Sequence, residues 1–342
     1  MILACDVGGT KTLLALFDDS GTRRIYQQRY NSDAYPEFDL LLHDFLRSAE
    51  SHSDQRITAA GFGIAGPIEG KRGHQRVRAT NLPWKMSSAD IATQLNGAPV
   101  VFANDLVASG TAAIASTPAQ RVSLNVSAQG PSRAPLDHIA VIAAGTGLGE
   151  ALFCSDGQRY HPMPTEGGHC SFAPNSMIED KLLVYMRHRL EGHVSYERIL
   201  SGGGFLHLYE FARAEGLADE RAQMTVLLAQ ADDPSPVITQ QACAGNDALS
   251  AVACRLFARI YGAEAGNLAL KCLPFGGVFV AGAIAGHILP FMQAEFMGGF
   301  LNKGRFAKLL SRIPVWIVSD PELALQGAAQ LAAGLRGSCK EG

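Results

Sequence analysis

Ile2-Leu3-Ala4-Cys5-Asp6-Val7-Gly8-Gly9-Thr10-Lys11-Thr12-Leu13-Leu14-Ala15-Leu16-Phe17 is the stretch whose reading decides the fold. Two apolar runs, Ile2–Cys5 and Thr12–Phe17, flank the turn from Asp6 to Lys11, which predicts two strands folded back on a glycine turn. Glycine carries no Cβ, so its backbone can approach a ligand closely, and successive N–H groups there form an anion-binding concavity. Thr10, Lys11 and Thr12 add side-chain donors, and Asp6 can hold the water shell of Mg²⁺. Read alone, the segment is equally an ordinary hairpin with Gly-Gly at its tip.

Outward from this hairpin, the turn Asp18-Asp19-Ser20-Gly21 leads to a third strand near Arg24–Arg29. A helix is predicted over about Pro36–Ser48, where Phe38, Leu41, Leu42 and Phe45 recur at helical spacing. Strands follow at Ile57–Ile64 and Pro99–Ala103, with a short helix after Ser88 between them. This alternation predicts a mixed sheet flanked by helices. A small-residue helix, Leu106 to Ser116, then enters a polar, proline-bearing stretch from Thr117 to Pro135. Beyond it the opening pattern repeats: strands Ile139–Ala144 and Glu150–Cys154 flank the turn Gly145-Thr146-Gly147-Leu148-Gly149. The echo predicts a duplicated architecture. Helices dominate about 177–270, a late buried strand is expected at Gly277–Ala283, a last strand at Ile313–Val318 and a closing helix over Pro321–Leu335.

Composition narrows the function. The 342 residues are 47% apolar and 18% charged with a net charge of -3, which builds a large core and offers no field for nucleic acid or an anionic membrane. A small soluble ligand is expected instead. The seven cysteines are scattered and form no CxxC pair, so reduced thiols are expected, not a disulfide framework or a zinc site. The start MILACDVGGT has neither a basic region nor a long apolar run, and no segment offers the ~20 apolar residues of a membrane helix, so a cytoplasmic protein is expected.

Three further motifs carry chemistry. Gly61-Phe62-Gly63-Ile64-Ala65-Gly66 matches GxGxxG, but Pro67, Gly70 and Gly73 follow where a dinucleotide site needs a helix, so the segment reads as close packing at a strand end. Asn104-Asp105 sits where a buried strand meets a helix, the edge at which open α/β sheets bind ligands. Aspartate there suits a base that takes a hydroxyl proton, and it suits a helix cap equally well. Glu166-Gly167-Gly168-His169, with Glu197 in Ser195-Tyr196-Glu197-Arg198, offers carboxylates and an imidazole, the donors and acceptors that several sugar hydroxyls demand; a surface loop is the other reading. GxSxG and GxxxxGK[ST] are both absent.

Taken together the segments resemble the bacterial glucokinase family, the non-zinc group within the actin-like and hexokinase ATPase superfamily. The resemblance runs through DVGGTKT, GIAGPI, TNLPW, ANDLVA, GTGLG, EGGHCSFAP, HVSYERILSGGG, GAEAGNLAL, GGVFVAGAIA and LNKGRF, in family order. It implies an α/β, two-lobed, ribonuclease H-like fold with a cleft between the lobes. The small domain would be 1–106 completed by the C-terminal helix 323–342, and the large domain 107–322. It further implies ATP-dependent phosphorylation of glucose at the 6-hydroxyl, with Mg²⁺, by a homodimer. In the family's pattern Asp6, Gly8, Gly9, Thr10, Lys11 and Thr12 would form one phosphate loop and Gly145, Thr146 and Gly147 the other. Asp105 would be the base, and Asn81, Asn104, Glu166, His169 and Glu197 would contact sugar. Gly277 and Gly282 would bound the adenosine strand and turn. A kinase for another hexose, or a sugar-sensing regulator on the same scaffold, is the alternative.

Overall fold

The computed structural model describes residues 1–52, 55–125 and 137–337, and the chain divides into two compact units. Most of the expected proline-bearing stretch, and the last five residues of the expected C-terminal helix, lie outside the described residues.

The first unit comprises Met1–Ser116 with Pro321–Gly342. Its strands are β1 (Ile2–Val7), β2 (Lys11–Phe17), β3 (Arg24–Asn31), β4 (Ala59–Ile64), short β5 (Ile68–Glu69), β6 (Arg76–Arg78) and β7 (Lys85–Ser87), then β8 (Val100–Asn104). The main sheet runs β3-β2-β1-β4-β8, with β1, β2 and β3 antiparallel and β1, β4 and β8 parallel. Side chains alternate across β1, and both faces are buried. Leu3, Cys5 and Val7 pack toward helix α1 (Phe38–Ala49) and α2 (Ser88–Gln94). Ile2 and Ala4 pack toward the closing helix, Leu323–Gly337. That helix also crosses α3 (Asp105–Ala115), so α3 belongs to this unit. The small sheet β5-β6-β7 was not expected. Its strands of two or three residues are too short for periodicity to register.

The second unit, Thr117–Asp320, repeats the plan. It contains β9 (Val122–Ser123), β10 (Ile139–Ala144), β11 (Leu148–Ser155), β12 (Tyr160–Thr165), β13 (Val278–Ala281) and β14 (Val315–Val318). The order is β12-β11-β10-β13-β14-β9, again an antiparallel triplet continued by the parallel strands β13 and β14, with the short β9 antiparallel at the edge. β12 escaped the sequence reading because Pro162 and Pro164 interrupt it; prolines are tolerated there because β12 is an edge strand. Helices α4 (Met177–Leu190), α5 (Gly204–Ala214), α6 (Ala222–Gln230), α7 (Pro234–Cys243) and α8 (Ala248–Cys272) supply the main core, with 16 of the 25 residues of α8 buried. The late strand is shorter than expected. It ends at Ala281 because Gly282 turns out at φ 93°, and Ala283 already opens α9 (Ala283–His287).

Candidate active site

In the first unit, the parallel strands β1, β4 and β8 end at one edge of the sheet, where β1 delivers Asp6 and β8 delivers Asn104. The glycine turn between β1 and β2 is braced from below. Gly8 N–H donates to the Lys11 carbonyl at 3.1 Å, and Ser32 N–H donates to the Thr10 carbonyl at 3.0 Å. The Ser32 hydroxyl donates to the Gly8 carbonyl at 2.8 Å and lies 2.9 Å from the Thr12 hydroxyl. Thr12 is therefore turned inward and fully buried, holding the turn's shape, whereas Thr10 and Lys11 are exposed at its tip. The expected role of Thr12 as a side-chain donor to phosphate does not fit this placement, because its hydroxyl is already engaged by Ser32. Asn81 sits beside the turn in a left-handed conformation (φ 62°), which asparagine tolerates; a Cβ added to Gly9 would touch it at 3.4 Å.

Asn104 and Asp105 separate the two readings of that pair. Asn104 is the N-cap of α3, its side-chain oxygen accepting Leu106 N–H at 3.0 Å. Asp105 occupies the first helical position, and one of its oxygens accepts the same N–H at 2.9 Å. Burial, with Asp105 and Glu322 nearby, raises the Asp6 carboxyl to about 7. Glu322 is itself held by Arg24 and by Gln27, whose side-chain N–H donates to it at 2.8 Å.

In the second unit, the glycine turn between β10 and β11 is fastened from several sides. Gly145 N–H donates to the Gly147 carbonyl and Gly202 N–H to the Gly145 carbonyl, both at 2.8 Å. Leu148 N–H donates to Glu197 Oε2 at 3.1 Å, and any Cβ on Gly147 would collide with that carboxylate. His169 links the other two acids, its Nδ1 lying 3.8 Å from Glu197 Oε1 and its Nε2 3.8 Å from Glu166 Oε2. Gly167–His169 forms one 3-10 turn pressed onto β11: a Cβ on Gly168 would strike the Leu148 carbonyl. Glu166 and His169 are exposed, while Glu197 is mostly covered. Three polar side chains expected from two separate segments thus gather near the start of β11.

A pocket of about 450 Å³ opens on the same turn, lined by Gly145 and Thr146 and by side chains such as Phe205, Ser235, Gln240 and His287. Gly282 stands at the end of β13, and α9 behind it carries Ile284 and His287 into the lining. Gly277 does not line the pocket. It lies at φ 117° under the Trp316 ring, so its missing Cβ serves packing. Ser235, Thr239 and Gln240 on α7 went unnoticed in the sequence, where only the Asp232-Asp233-Pro234-Ser235-Pro236 helix start could have drawn attention. Among the described residues, no group of three or more His, Cys, Asp or Glu side chains converges as a metal centre, and no helix is long and apolar enough to cross a membrane.

The sequence model of the family described as Glucokinase matches residues 3–335. The chain belongs to the glucokinase family. A glucokinase of Nostoc sp. (strain PCC 7120 / SAG 25.82 / UTEX 2576) is 37% identical over 353 residues, covering 98% of this chain and 99% of the relative. Among solved structures, glucokinase from an Antarctic psychrotroph is 26% identical, with a TM-score of 0.78 over 97% of this chain and 98% of that one. A ROK family glucokinase from Streptomyces griseus, in complex with glucose and AMPPNP, shares the fold at 21% identity and a TM-score of 0.65, covering 97% and 99%. As a glucokinase-family member the chain has the actin-like ATPase fold, one sheet of that type in each unit.

Proposed function

We propose that the chain transfers the terminal phosphoryl group of ATP to the 6-hydroxyl of glucose. The observation that carries this reading is the cluster of Glu166, His169 and Glu197 at the β10–β11 glycine turn, in a chain of the glucokinase family. Two carboxylates and an imidazole supply the acceptors and donors that a polyol requires, and each can be reached through an exposed or partly exposed face.

Phosphoryl transfer depends on positioning and on neutralising charge. Gly9 and Thr10 in the first unit, and Thr146 and Gly147 in the second, offer backbone N–H groups suited to phosphate oxygens, while the Gly8 and Gly145 N–H groups close their turns onto the Lys11 and Gly147 carbonyls. The 450 Å³ pocket beside Thr146 accommodates a nucleoside, with Gly277 and Gly282 framing the strand behind it. Asn81 and Asn104 are assigned to the sugar by the family resemblance, Asn104 doing so besides its capping role. Asp105 acts as base: its carboxylate accepts the 6-hydroxyl proton as that oxygen bonds to phosphorus, and the bond from phosphorus to the ADP oxygen breaks. Glucose 6-phosphate and ADP leave.

Asp6 suits Mg²⁺ held through water. Its carboxyl is raised by burial first and then by Asp105 and Glu322, whose charges a cation would offset, and Mg²⁺ commonly leans on one or two carboxylates plus phosphate. When bound, Mg²⁺ would neutralise charge on the phosphates. Family membership also supports a cytoplasmic homodimer acting on a small molecule, without nucleic acid or a membrane.

The test is ADP release, followed by a coupled assay over a panel of hexoses with ATP, ADP or polyphosphate as donor. Glucose should give the highest kcat/KM with ATP. Folded protein that releases no more ADP with glucose than without would overturn the proposal.

A further inference from the structure

Two acids that the mechanism does not use lie directly beneath the Glu166–His169 turn. Glu150 of β11 and Glu264 of α8 are each 1% exposed; the Glu150 carboxyl lies under Gly167, and the Glu264 carboxyl is within bonding reach of it. Gly167 lies so close that a Cβ there would fall on Glu150 Oε2. The turn is tied to the same strand by its backbone: Gly167 N–H donates to the Thr165 hydroxyl at 3.1 Å, and that hydroxyl donates to the Glu150 carbonyl at 2.9 Å. Whatever moves the Glu150 carboxyl therefore meets Gly167 first, two residues before His169.

Glu264 Oε2 accepts the Asn267 amide at 2.8 Å. Glu150 Oε1 and Glu264 Oε1, both buried, have no hydrogen-bond partner among the described residues. Buried acceptors left bare are costly, and two adjacent carboxylates in a low dielectric repel. One proton between the acids relieves both problems.

The surrounding charges do not replace that proton. Lys271 of α8 stays 4.0 Å from Glu264 Oε1 and is more than half exposed. Lys303 Nζ donates a hydrogen bond to Asn267 Oδ1 at 2.6 Å and reaches Glu264 through that amide. Tyr196 accepts from the Asn267 amide at 3.0 Å and turns its own hydroxyl to Glu264, keeping that proton because burial and Glu264 raise it; Tyr261 donates to the Ile142 carbonyl, and Cys272 is partly buried and neutral. Lys303 is shared between Glu264 and Glu179 of α4, both of which act on its charge.

We propose that Glu150 and Glu264 hold a single proton between them and that this shared proton seats the Glu166–His169 turn, making Glu150 a positioning residue for the sugar-binding side chains. The inference rests on the assignment of Glu166, His169 and Glu197 to the sugar. Burial, then the charge of Glu264, with Lys271 opposing, raises the Glu150 carboxyl to about 8. At neutral pH the pair carries one negative charge. Above that value it gains a second, and the nearest give is at Gly167, so the turn lifts and sugar binding weakens.

The experiment follows glucose Kd, the KM for ATP and hydrogen-exchange protection at the bonded amides of Gly167, His169 and Cys170 from about pH 7 to about pH 9.5, in the full chain and in Glu150→Gln. A one-proton linkage allows at most about tenfold per pH unit, so glucose Kd should rise about tenfold across the range. Protection at the three amides should fall in parallel, with the KM for ATP changing less than about twofold. In Glu150→Gln, whose amide stands in for the protonated acid, both glucose affinity and protection should stay at their neutral values. A rise that persists in Glu150→Gln, or wild-type protection that does not change up to about pH 9.5, overturns the proposal. If the chain binds no glucose at any pH, the functional assignment fails, while the wild-type protection profile still decides on the shared proton. Glu264→Gln should flatten the same profile and serves if Glu150→Gln does not fold.

Discussion

Glu197 Oε2 accepts the backbone N–H of Leu148 at 3.1 Å, so one carboxylate both shapes the second glycine turn and faces His169. The proposed phosphate-facing turn and the proposed sugar-facing acids are thereby a single mechanical piece. A change at Glu197 should be felt by both substrates.

Glu197→Gln keeps an oxygen for Leu148 but removes the charge beside His169. Losing a charged hydrogen-bond partner costs about 1.5–3 kcal/mol, so the KM for glucose should rise about 10- to 100-fold. Glu197→Ala should raise the KM for ATP as well, because the turn loses its anchor. Steady-state kinetics with each substrate varied in turn will separate the two. An unchanged glucose KM in Glu197→Gln would place the sugar elsewhere.

Asp105 is the first residue of α3, and the cap is supplied by Asn104. Asp105→Asn should therefore fold normally. Loss of a positioned base lowers turnover by about 10²–10⁴-fold, with glucose Kd within about threefold of wild type. Rapid-quench or coupled kinetics beside calorimetric binding will check it. Near-normal kcat would remove Asp105 from the base role.

Part of this arrangement was legible in the sequence. Both glycine hairpins stand where the alternation of apolar strands and glycine turns places them, and Asn104-Asp105 lies at a strand-to-helix junction as its neighbours predict. Thr12 was not legible, because its inward turn depends on Ser32, twenty residues away. Nor was Gly277, whose neighbour Trp316 comes from another strand. The Glu150–Glu264 pair looked like one polar residue in a strand and one in a helix until packing brought them together. Local pattern shows which segments form; only the assembled unit shows which side chains are used up internally.

Asp6 titrates high, to about 7, because burial, Asp105 and Glu322 all disfavour its charge. The sign follows directly. A carboxyl raised in the folded state stabilises the fold fully below its ordinary value of 3.8, and that contribution is lost as pH rises through about 7. Activity runs the opposite way, because the ionised form is the one suited to a hydrated cation. kcat/KM for ATP should fall about tenfold per unit below pH 7, and higher Mg²⁺ should move this limb to lower pH. Asp6→Asn should abolish the limb along with most activity. A pH–rate profile at two Mg²⁺ concentrations checks this, and a limb insensitive to Mg²⁺ would sink the assignment.

Gly327 and Gly334 lie on the same closing helix, yet the same substitution should act on them with opposite signs. A Cβ at Gly327 would fall on the Ala108 carbonyl and press on its Cα, where the closing helix crosses α3. Backbone atoms in a helix cannot step aside, so overpacking of about 1–3 kcal/mol or more outweighs the helix-propensity gain of up to about 1 kcal/mol. Gly327→Ala should lose about 2 kcal/mol of stability. Gly334 has nothing within 4 Å of its missing Cβ, and it is exposed. Gly334→Ala should instead gain a few tenths, up to about 1 kcal/mol, from propensity alone. Urea unfolding of both variants beside wild type measures the difference. If both shifted the same way, the close crossing of the closing helix over α3 would be wrong.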